Sequence, residues 1–396
     1  MTTTRAEVIV TGGGTAGHVL PALAVARALV AAGYAPSAIQ FVGARRGMER
    51  HLVPEAGFAL TLLPGRGLVR RLSLYNVGAI AGLAAAFAVA LAQLARRRPR
   101  VVVAVGGFGA VACSLAAVLW RVPVVVVNVD SVPGAANRVI GRFATACCVA
   151  FPGTALPRSV VTGTPVRPEV LGADRSAEGR TRSRRALSVP GAGRLVAVVG
   201  GSLGARRLNE AAVDLARRFA RQGDVVVYHV CGSRALEEVT AAATAAGLLE
   251  GADVSYRVVA YEKRLADLFA AADVVVSRAG ASTVAELAVI GAPSILVPLP
   301  GAPSDHQRRN AEFLVGAGAA VLLSDDEASG ERLFSEVSAL LGDPRRLAAM
   351  GEAARAVARP DAAAAIASLV AEVAARRRIP RRAVAAALRP EAGENQ

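Results

Sequence analysis

Three stretches of the chain repeat one pattern, in which a β-branched run leads through two or three glycines into a helix-like segment. They read VIVTGGGTAG (8–17), VVVAVGGFGA (101–110) and VAVVGGSLGA (196–205). Glycine suits a sharp turn from a parallel strand into a helix, because a side chain there would keep a ligand away from the backbone. The free N–H groups and partial positive charge at the helix start favour phosphate. One such turn could simply connect two elements, but three copies predict phosphate-binding turns.

Short β-branched runs alternate with Ala- and Leu-rich stretches along the rest of the chain. This alternation predicts an α/β fold, with parallel sheets covered by helices on both faces. A chain of 396 residues is too long for one ordinary core. The polar, Gly-, Pro- and Arg-rich stretch 172–194 has the composition of an interdomain connection. We therefore expect two doubly wound domains, with a boundary near 165–190 and a cleft between them.

The formal net charge of +15 suits an anionic membrane or a phosphorylated substrate, although a bias toward Ala and Arg would also produce it. Aromatic residues make up 4% of the chain and do not alternate with Arg as in single-strand binders, so we exclude nucleic acid. The cysteines show neither CxxC pairing nor zinc-site spacing, and we expect buried free thiols. They are Cys113, Cys147, Cys148 and Cys231.

Residues 77–95 carry no charge over roughly the length that spans a bilayer. Their bulky side chains recur at spacings of three and four, which predicts a helix packed by one face rather than a membrane span. This stripe consists of Ile80, Leu83, Phe87, Leu91 and Leu94. The N-terminus lacks the apolar stretch of a signal peptide, and we expect it to begin a strand.

The first glycine turn also matches the G-x-G-x-x-G spacing of dinucleotide-binding enzymes at 12–17. That fingerprint requires an acidic residue about 20 positions further on, at the end of the second strand. Here the strand IQFVG leads instead into Arg45 and Arg46. A nicotinamide-dependent oxidoreductase therefore remains a weak alternative, and no P-loop motif occurs.

The stretch TGGGTAGHVLPALAVARAL (11–29) is followed by further distinctive blocks. These are VGGFGA (105–110), GTPVRPEVL (163–171), VVGGSLGARRLNE (198–210), ADVVVSRAGASTVAELAVIGAPSILVPLP (272–300) and DHQRRNAEFL (305–314). With these blocks, the chain resembles the MurG family of peptidoglycan glycosyltransferases, within glycosyltransferase family 28. The resemblance extends over residues from about 8 to 375.

The resemblance implies the GT-B fold, in which two Rossmann-like, doubly wound domains face a cleft. It assigns 1–165 to an N-terminal, membrane-associated acceptor domain and 186–357 to a domain that binds UDP-N-acetylglucosamine (UDP-GlcNAc). A helix over about 358–376 would cross back to the first domain, and 377–396 would form a basic tail.

The same resemblance implies an inverting hexosyltransferase of cell-wall synthesis. GlcNAc would move from UDP-GlcNAc to the 4-hydroxyl of N-acetylmuramic acid (MurNAc) in lipid I, which is undecaprenyl-diphospho-MurNAc-pentapeptide, to give lipid II. Because lipid I is anchored in the bilayer, we expect a peripheral protein on the cytoplasmic face of the cell membrane.

On the donor side, the resemblance implies that the strand-to-helix turn in SRAGASTVAE faces UDP-GlcNAc. Glu286 would accept hydrogen bonds from the ribose diol. Gln307 would read the sugar hydroxyls, since an amide both donates and accepts, and His306 lies beside it. The remaining residues of this turn are Ala281, Ser282, Thr283, Val284 and Ala285.

Three further donor contacts are implied. Ser202, in the third glycine turn, would bind the diphosphate together with the helix start that follows it. Arg167 would reach the nucleotide from the interdomain boundary. Glu262 would lie near the uracil, which backbone groups would read.

On the acceptor side, His18 is the candidate catalytic residue, next to Thr15, Ala16 and Gly17. Imidazole titrates near neutral pH and can take the proton of the attacking 4-hydroxyl as a general base. His18 could instead bind the acceptor diphosphate, or could only cap the turn. The sequence leaves these three roles open.

The chain departs from the family after the second glycine turn, where the family shows His-Glu-Gln-Asn. This chain has Val127, Asn128, Val129 and Asp130 instead. We include Asp130 among the candidate substrate-binding residues, as a sugar ligand or a base. The change leaves open a related glycosyltransferase with another lipid-linked or secondary-metabolite acceptor, or a binding protein without activity.

We expect no metal cofactor, because the chain contains no D-x-D motif. The nearest acidic cluster, DDE at 325–327, is predicted to open a helix as favourable first-turn charge. Helix N-termini and arginine would then stabilise the leaving group.

A membrane-binding surface is predicted where basic and apolar residues mix. RGLVRRLSLY (66–75) precedes the apolar helix, and Trp120 and Arg121 would add to the same surface. Arginine attracts anionic headgroups at about 1 kcal/mol each. An ordinary solvated loop remains the alternative.

Overall fold

The computed structural model describes residues 7–45, 47–65, 74–201, 205–221, 223–249 and 255–376, with backbone alone at 74–80. Its first strands are β1 (Val8–Gly12), β2 (Ile39–Ala44), β3 (Ala59–Leu63), β4 (Val101–Gly106), β5 (Val124–Asn128), β6 (Ala146–Val149) and β7 (Ser159–Val161). The later strands are β8 (Arg194–Val199), β9 (Val225–Val230), β10 (Tyr256–Val259), β11 (Val274–Ser277), β12 (Ser294–Leu296) and β13 (Ala320–Leu322).

Helices follow most of these strands. In the first half they are α1 (Ala16–Ala31), α2 (Glu49–Glu55), α3 (Leu74–Arg97), α4 (Phe108–Leu119), α5 (Ala135–Gly141), α6 (Pro168–Leu171) and α7 (Ala177–Ala186). In the second half they are α8 (Arg206–Ala220), α9 (Leu236–Ala245), α10 (Leu265–Ala271), α11 (Ala281–Ile290), α12 (His306–Gly316), α13 (Gly330–Leu341), α14 (Pro344–Val357) and α15 (Ala362–Arg376).

The strands form two sheets, one in each half of the described chain. The first sheet has the order β3-β2-β1-β4-β5-β6-β7 and the second β10-β9-β8-β11-β12-β13. Every strand pairing is parallel. The predicted α/β fold with two doubly wound domains is therefore confirmed.

Both sheets reverse their strand order at one point, between β1 and β4 and between β8 and β11. Doubly wound sheets bind ligands outside the carboxyl ends of the strands at such a point. The first and second glycine turns follow β1 and β4, and the third follows β8. The first two turns, and Gly200 and Gly201 at the described start of the third, thus lie at the switch points of the two sheets.

Helix α3 confirms the amphipathic pattern predicted for 77–95. Ala86, Ala90 and Leu94 are buried in one cluster with residues of the first sheet, and Leu83, Phe87 and Leu91 pack against it. The Ile80 side chain lies outside the described part of the structure. None of the described helices is long and apolar enough to cross a membrane.

The polar stretch 172–194 contains a helix rather than a plain connection. Helix α7 packs against α10 of the second half. Its Arg180 and Arg184 pair with the buried Asp273 at 2.6 and 3.3 Å. These ion pairs explain why a packed helix has so polar a sequence.

The last described helix, α15, packs against α1 and strand β4 of the first half. Its apolar residues Ile366, Val370 and Val373 are buried there. The four cysteines are buried and free. Burial raises the pKa of Cys113 and Cys148 to about 12, so these thiols are un-ionised at neutral pH.

Candidate active site

The first two glycine turns are packed directly against each other. The Gly13 N–H donates to the Gly106 carbonyl at 3.3 Å. A Cβ atom on Gly107 would lie 2.6 Å from the Gly13 carbonyl oxygen, and both Gly106 and Gly107 have positive φ, 112° and 84°. The lack of side chains at Gly106 and Gly107 therefore makes room for the backbone of the first glycine turn. The sequence pattern did not predict this packing role of the two glycines.

His18 lies in the first turn of α1, at the meeting point of these two turns. A Cβ atom on Gly106 would lie 3.1 Å from Cδ2 of the His18 ring, so the ring covers that glycine. Its Nδ1 lies 3.3 Å from the Thr15 hydroxyl. The predicted acceptor residues Thr15, Ala16 and Gly17 form the start of the same helix.

The electrostatic surroundings of His18 favour its neutral form. Burial lowers its pKa below the ordinary value of 6.5. The carboxylates of Asp130 and Glu49 raise it, and His306 lowers it. Since His306 belongs to the second half of the chain, residues from both domains act on this imidazole. Neutral imidazole can accept a proton at neutral pH.

Asp130 takes part in a contact that joins the two domains. Asn310 of α12 donates to its carboxylate at 3.1 Å and to the Ala279 carbonyl at 3.2 Å. The Ser131 N–H donates to the Asn310 side-chain oxygen at 2.9 Å, and the Ser131 hydroxyl to the His306 carbonyl at 3.2 Å. The completely buried amide of Asn310 is thus fully used in this contact.

The other altered positions of this loop serve packing. Val127 and Val129 are buried in the apolar core. Asn128 accepts from Asn137 at 3.0 Å and donates to the Asp130 carbonyl at 2.6 Å. These contacts shape the backbone that presents Asp130 to α12.

On the second domain, the start of α11 and Glu286 form one polar site. Gly280 precedes the helix, and no side chain caps its first N–H groups. The Ser282 hydroxyl is buried without a hydrogen-bond partner among the described residues. Ala281 and Val284 are buried, whereas Ser282, Thr283 and Ala285 are half-buried.

Arg167 and Glu286 meet in a two-pronged ion pair at this site. The arginine Nε and Nη2 atoms donate to the two carboxylate oxygens at 3.0 and 3.1 Å. Burial raises the pKa of Glu286, and the guanidinium opposes this shift. Each carboxylate oxygen has a second lone pair, so Glu286 can still accept from hydroxyl groups.

Gln307 and Glu262 have structural partners of their own. The Gln307 side-chain oxygen accepts from the Leu299 N–H at 2.9 Å, which leaves its NH₂ group to donate. His306 Nδ1 lies 2.9 Å from the Pro303 carbonyl. The Glu262 carboxylate accepts from the Tyr228 hydroxyl and from the Arg264 N–H. The side chain of Glu262 therefore already has two partners, Tyr228 of β9 and the backbone of its own loop.

The predicted site residues fall into two groups. In the first group, Asp130 and His306 lie within electrostatic reach of His18. In the second group, Arg167 forms an ion pair with Glu286. Ser202, the basic loop at 66–73 and the tail 377–396 lie outside the described residues. Sequence reasoning missed Glu49, Ser131 and Asn310, although Asn310 stands inside the DHQRRN block.

Among the described residues, no group of three His, Cys, Asp or Glu side chains is arranged to hold a metal ion. The acidic cluster at 325–327 does not open a helix, and that prediction is wrong. Asp325 pairs with Arg278 at 2.7 Å, and α13 begins later, at Gly330 behind its Ser329 cap. The cluster therefore forms a turn that the ion pair of Asp325 with Arg278 stabilises.

Two doubly wound domains that present helix starts to a common cleft define the GT-B class. The chain belongs to glycosyltransferase family 28: the family's N-terminal domain matches residues 8–149 and its C-terminal domain matches 195–366. This membership confirms the family resemblance, and the nicotinamide-dependent alternative is wrong.

The relatives of this chain match it over nearly its full length. One is the UDP-N-acetylglucosamine–N-acetylmuramyl-(pentapeptide) pyrophosphoryl-undecaprenol N-acetylglucosamine transferase of Xylella fastidiosa, 42% identical over 92% of this chain and 95% of the relative. The enzyme of the same name from Desulforudis audaxviator is 36% identical over 93% of this chain and 98% of its own. The crystal structure of Acinetobacter baumannii MurG superposes with a TM-score of 0.71 at 28% identity, covering 93% of this chain and 99% of that one.

Proposed function

We propose that the chain transfers GlcNAc from UDP-GlcNAc to the 4-hydroxyl of MurNAc in lipid I, with inversion at the sugar C1. The similarity to enzymes named for this reaction supports the substrates. The observation that carries the mechanism is that α12 of the second domain contacts the Asp130 loop of the first. Asn310 donates to the Asp130 carboxylate at 3.1 Å, and the Ser131 hydroxyl donates to the His306 carbonyl at 3.2 Å. His18 lies within electrostatic reach of both Asp130 and His306. A candidate base and the candidate donor site thus face one cleft.

In this mechanism, His18 takes the proton from the attacking hydroxyl. The C1–O bond to the acceptor forms while the C1–O bond to the diphosphate breaks, and UDP leaves with the electron pair. Burial keeps the imidazole neutral before the step, and Asp130 and Glu49 stabilise the imidazolium formed in it. Thr15, Ala16 and Gly17 offer the amide groups of a helix start to the acceptor diphosphate.

The donor contacts follow from the second domain. Glu286 accepts from the ribose diol, and the start of α11 with Arg167 stabilises the negative charge on the departing UDP. Gln307 donates to the sugar, Ser202 binds the diphosphate, and backbone groups near Glu262 read the uracil. We propose that these groups make a metal ion unnecessary.

The chain divides, in this proposal, into an acceptor domain (1–165), a donor domain (186–357) and a crossing helix at about 358–376. The packing of α15 against α1 supports the crossing. We further propose peripheral binding to the anionic, cytoplasmic face of the cell membrane. The exposed apolar side chains of Leu119 at the end of α4, Trp120 directly after it and Phe143 just after α5 support it, since α4 and α5 contact each other.

The test is transfer of radiolabelled GlcNAc from UDP-GlcNAc to a lipid I analogue, with and without EDTA. We expect a labelled disaccharide lipid in both conditions. Loss of product under EDTA and its return with Mg²⁺ would contradict metal independence.

The loop at 127–130 favours a second candidate, a family 28 glycosyltransferase that acts on another lipid-linked or secondary-metabolite acceptor. The same assay separates the two when MurNAc-free polyprenyl diphosphates replace lipid I. Binding of UDP-GlcNAc by calorimetry without transfer to any acceptor would instead indicate a binding protein without activity.

A further inference from the structure

Glu49 is a buried carboxylate directly behind the first glycine turn. It is the first residue of α2 and only 1% exposed. Its Oε2 accepts from the Gly14 N–H and its Oε1 from the Ala44 N–H, each at 2.8 Å. One carboxylate therefore ties the turn after β1 to the end of β2. Both oxygens act as acceptors, as in the ionised form.

Three glycines from three segments make room for this carboxylate. A Cβ atom on Gly13, Gly43 or Gly47 would overlap with the Glu49 side chain, at 2.2, 2.5 and 1.9 Å. Each of these distances is far below any real Cβ contact. The three glycines and the glutamate thus form one unit, which no local sequence pattern reveals.

This unit changes which amides of the first turn can bind an anion. The Gly14 N–H is used by Glu49 and the Gly13 N–H by Gly106, so neither is free for a phosphate. The N–H groups that remain for a ligand are those at the start of α1. Glu49 also acts electrostatically on His18 in the first turn of that helix, as do Asp130 and His306.

We propose that Glu49 is a positioning residue for the acceptor side of the site. By holding the Gly14 and Ala44 amides, it sets the backbone from which the start of α1 and His18 face the acceptor. The same carboxylate also acts electrostatically on His18. This inference deepens the proposed function and rests on it. The donor site on the second domain does not depend on Glu49.

The matched variants are Glu49→Gln and Glu55→Gln, which remove the same charge from the two ends of α2. Gln at 49 keeps one acceptor oxygen but turns an NH₂ group toward a backbone N–H. Glu55 is exposed, so its variant is the control. We expect Glu49→Gln to lower kcat/KM for a lipid I analogue roughly 10-fold or more. KM for UDP-GlcNAc stays within about two-fold, since the donor contacts are untouched.

A second readout does not require activity. The chain has four histidines, so NMR can follow the His18 ring once a His18→Ala spectrum identifies its resonance. Removing a carboxylate that raises the His18 pKa should move its titration to lower pH in Glu49→Gln and leave it unchanged in Glu55→Gln. If Glu49→Gln does not fold, Gly47→Ala displaces the carboxylate without removing it, and the same shift is expected.

An unchanged kcat/KM for the lipid I analogue together with an unchanged His18 titration in the folded variant overturns the proposal. A lower rate with an unchanged titration and an equally altered KM for UDP-GlcNAc means that Glu49 only stabilises the fold. If the wild-type chain transfers nothing to lipid I, the proposed function fails, whereas the titration still decides the role of Glu49. The two failures are therefore distinguishable.

Discussion

His18 illustrates how the environment of a single residue determines its chemistry. The imidazole lies over a glycine of the neighbouring turn, and burial lowers its pKa. Two carboxylates partly oppose that shift. The ring is therefore neutral before the reaction and has anions nearby once it takes a proton, which is the combination that a general base needs.

The pH profile of the transfer follows from this environment. Because the His18 pKa is lowered from 6.5, the active neutral form is present at pH 7 and is lost only at lower pH. We expect kcat/KM to fall about ten-fold per pH unit on the acid side, with the midpoint below 6.5. An initial-rate series from pH 4.5 to about pH 8 measures it.

His18→Ala should remove this acid limb and lower kcat by about 10²- to 10⁴-fold, the usual contribution of a general base. His51→Ala is the control, because His51 is exposed on α2. A His18→Ala variant with an unaltered kcat would contradict the catalytic role.

On the donor side, Glu286 is the residue whose replacement tests the proposed site most directly. Glu286→Ala removes the two carboxylate oxygens that we propose as acceptors for the ribose diol, and it leaves Arg167 without its partner. We expect KM for UDP-GlcNAc to rise about 10- to 100-fold, since hydrogen bonds to charged groups contribute about 1.5–3 kcal/mol. Glu312→Ala, an exposed carboxylate on α12, is the control in the same steady-state assay. Equal KM values for the two variants would argue against ribose binding.

At the scale of elements, helix α12 links the chemistry of the two domains. It carries Gln307, the proposed ligand of the donor sugar, and Asn310, which donates to Asp130. The loop between β5 and α5 is therefore part of an interdomain contact, whereas its sequence suggested a substrate-facing loop. In this contact, Asp130 accepts a hydrogen bond from Asn310 and so has a structural role besides any role in ligand binding.

Replacement of Asn310 tests this contact. Asn310→Ala leaves the Ser131 N–H without its acceptor and should cost about 1–3 kcal/mol of unfolding free energy. We also expect kcat/KM to fall, because α12 loses its fixed position relative to His18. Urea unfolding and the transfer assay measure the two effects.

Asp130→Asn removes the negative charge of Asp130 and keeps a side-chain oxygen for the hydrogen bond from Asn310. The asparagine oxygen can still accept from Asn310, so stability should stay close to that of the wild type. The His18 titration should move to lower pH because a carboxylate is lost. Loss of stability as large as in Asn310→Ala would contradict this interpretation.

At the scale of the whole molecule, the first domain carries an exposed apolar surface with basic neighbours. Leu119 ends α4, Trp120 follows it directly and Phe143 lies just after α5, the helix that contacts α4. The arginines Arg138 and Arg142 of the same segment are exposed as well. An apolar surface with basic neighbours favours binding to an anionic bilayer. Leu249 is one of the exposed apolar residues of the second domain.

Liposome flotation tests this surface. We expect the wild-type chain to float with anionic vesicles at low salt, and less with neutral vesicles or at high salt. Leu119→Ser with Phe143→Ser should reduce the floated fraction several-fold, because apolar area no longer enters the interface. Leu249→Ser is the control. Equal flotation of all variants would place the membrane contact elsewhere.

The fold could be predicted from the sequence because its signals are local. The run of valines in β4, the glycines after it and the stripe of α3 each span fewer than two dozen residues. Strand and helix periods are properties of such short segments, and parallel strands with intervening helices allow few topologies. The third glycine turn at 202–204 lies outside the described residues, so its predicted role stays a prediction.

The details of the site depend on contacts between distant segments. Glu49 meets Gly14 across 35 positions, and Asp130 meets Asn310 across 180. No periodic pattern encodes such pairs, because their geometry arises only when both sheets and their helices have packed. The sequence alone determined the fold class, the family and the identity of the chemical groups. The tertiary structure decided which glycines serve packing, which amides remain free, and which charges act on His18.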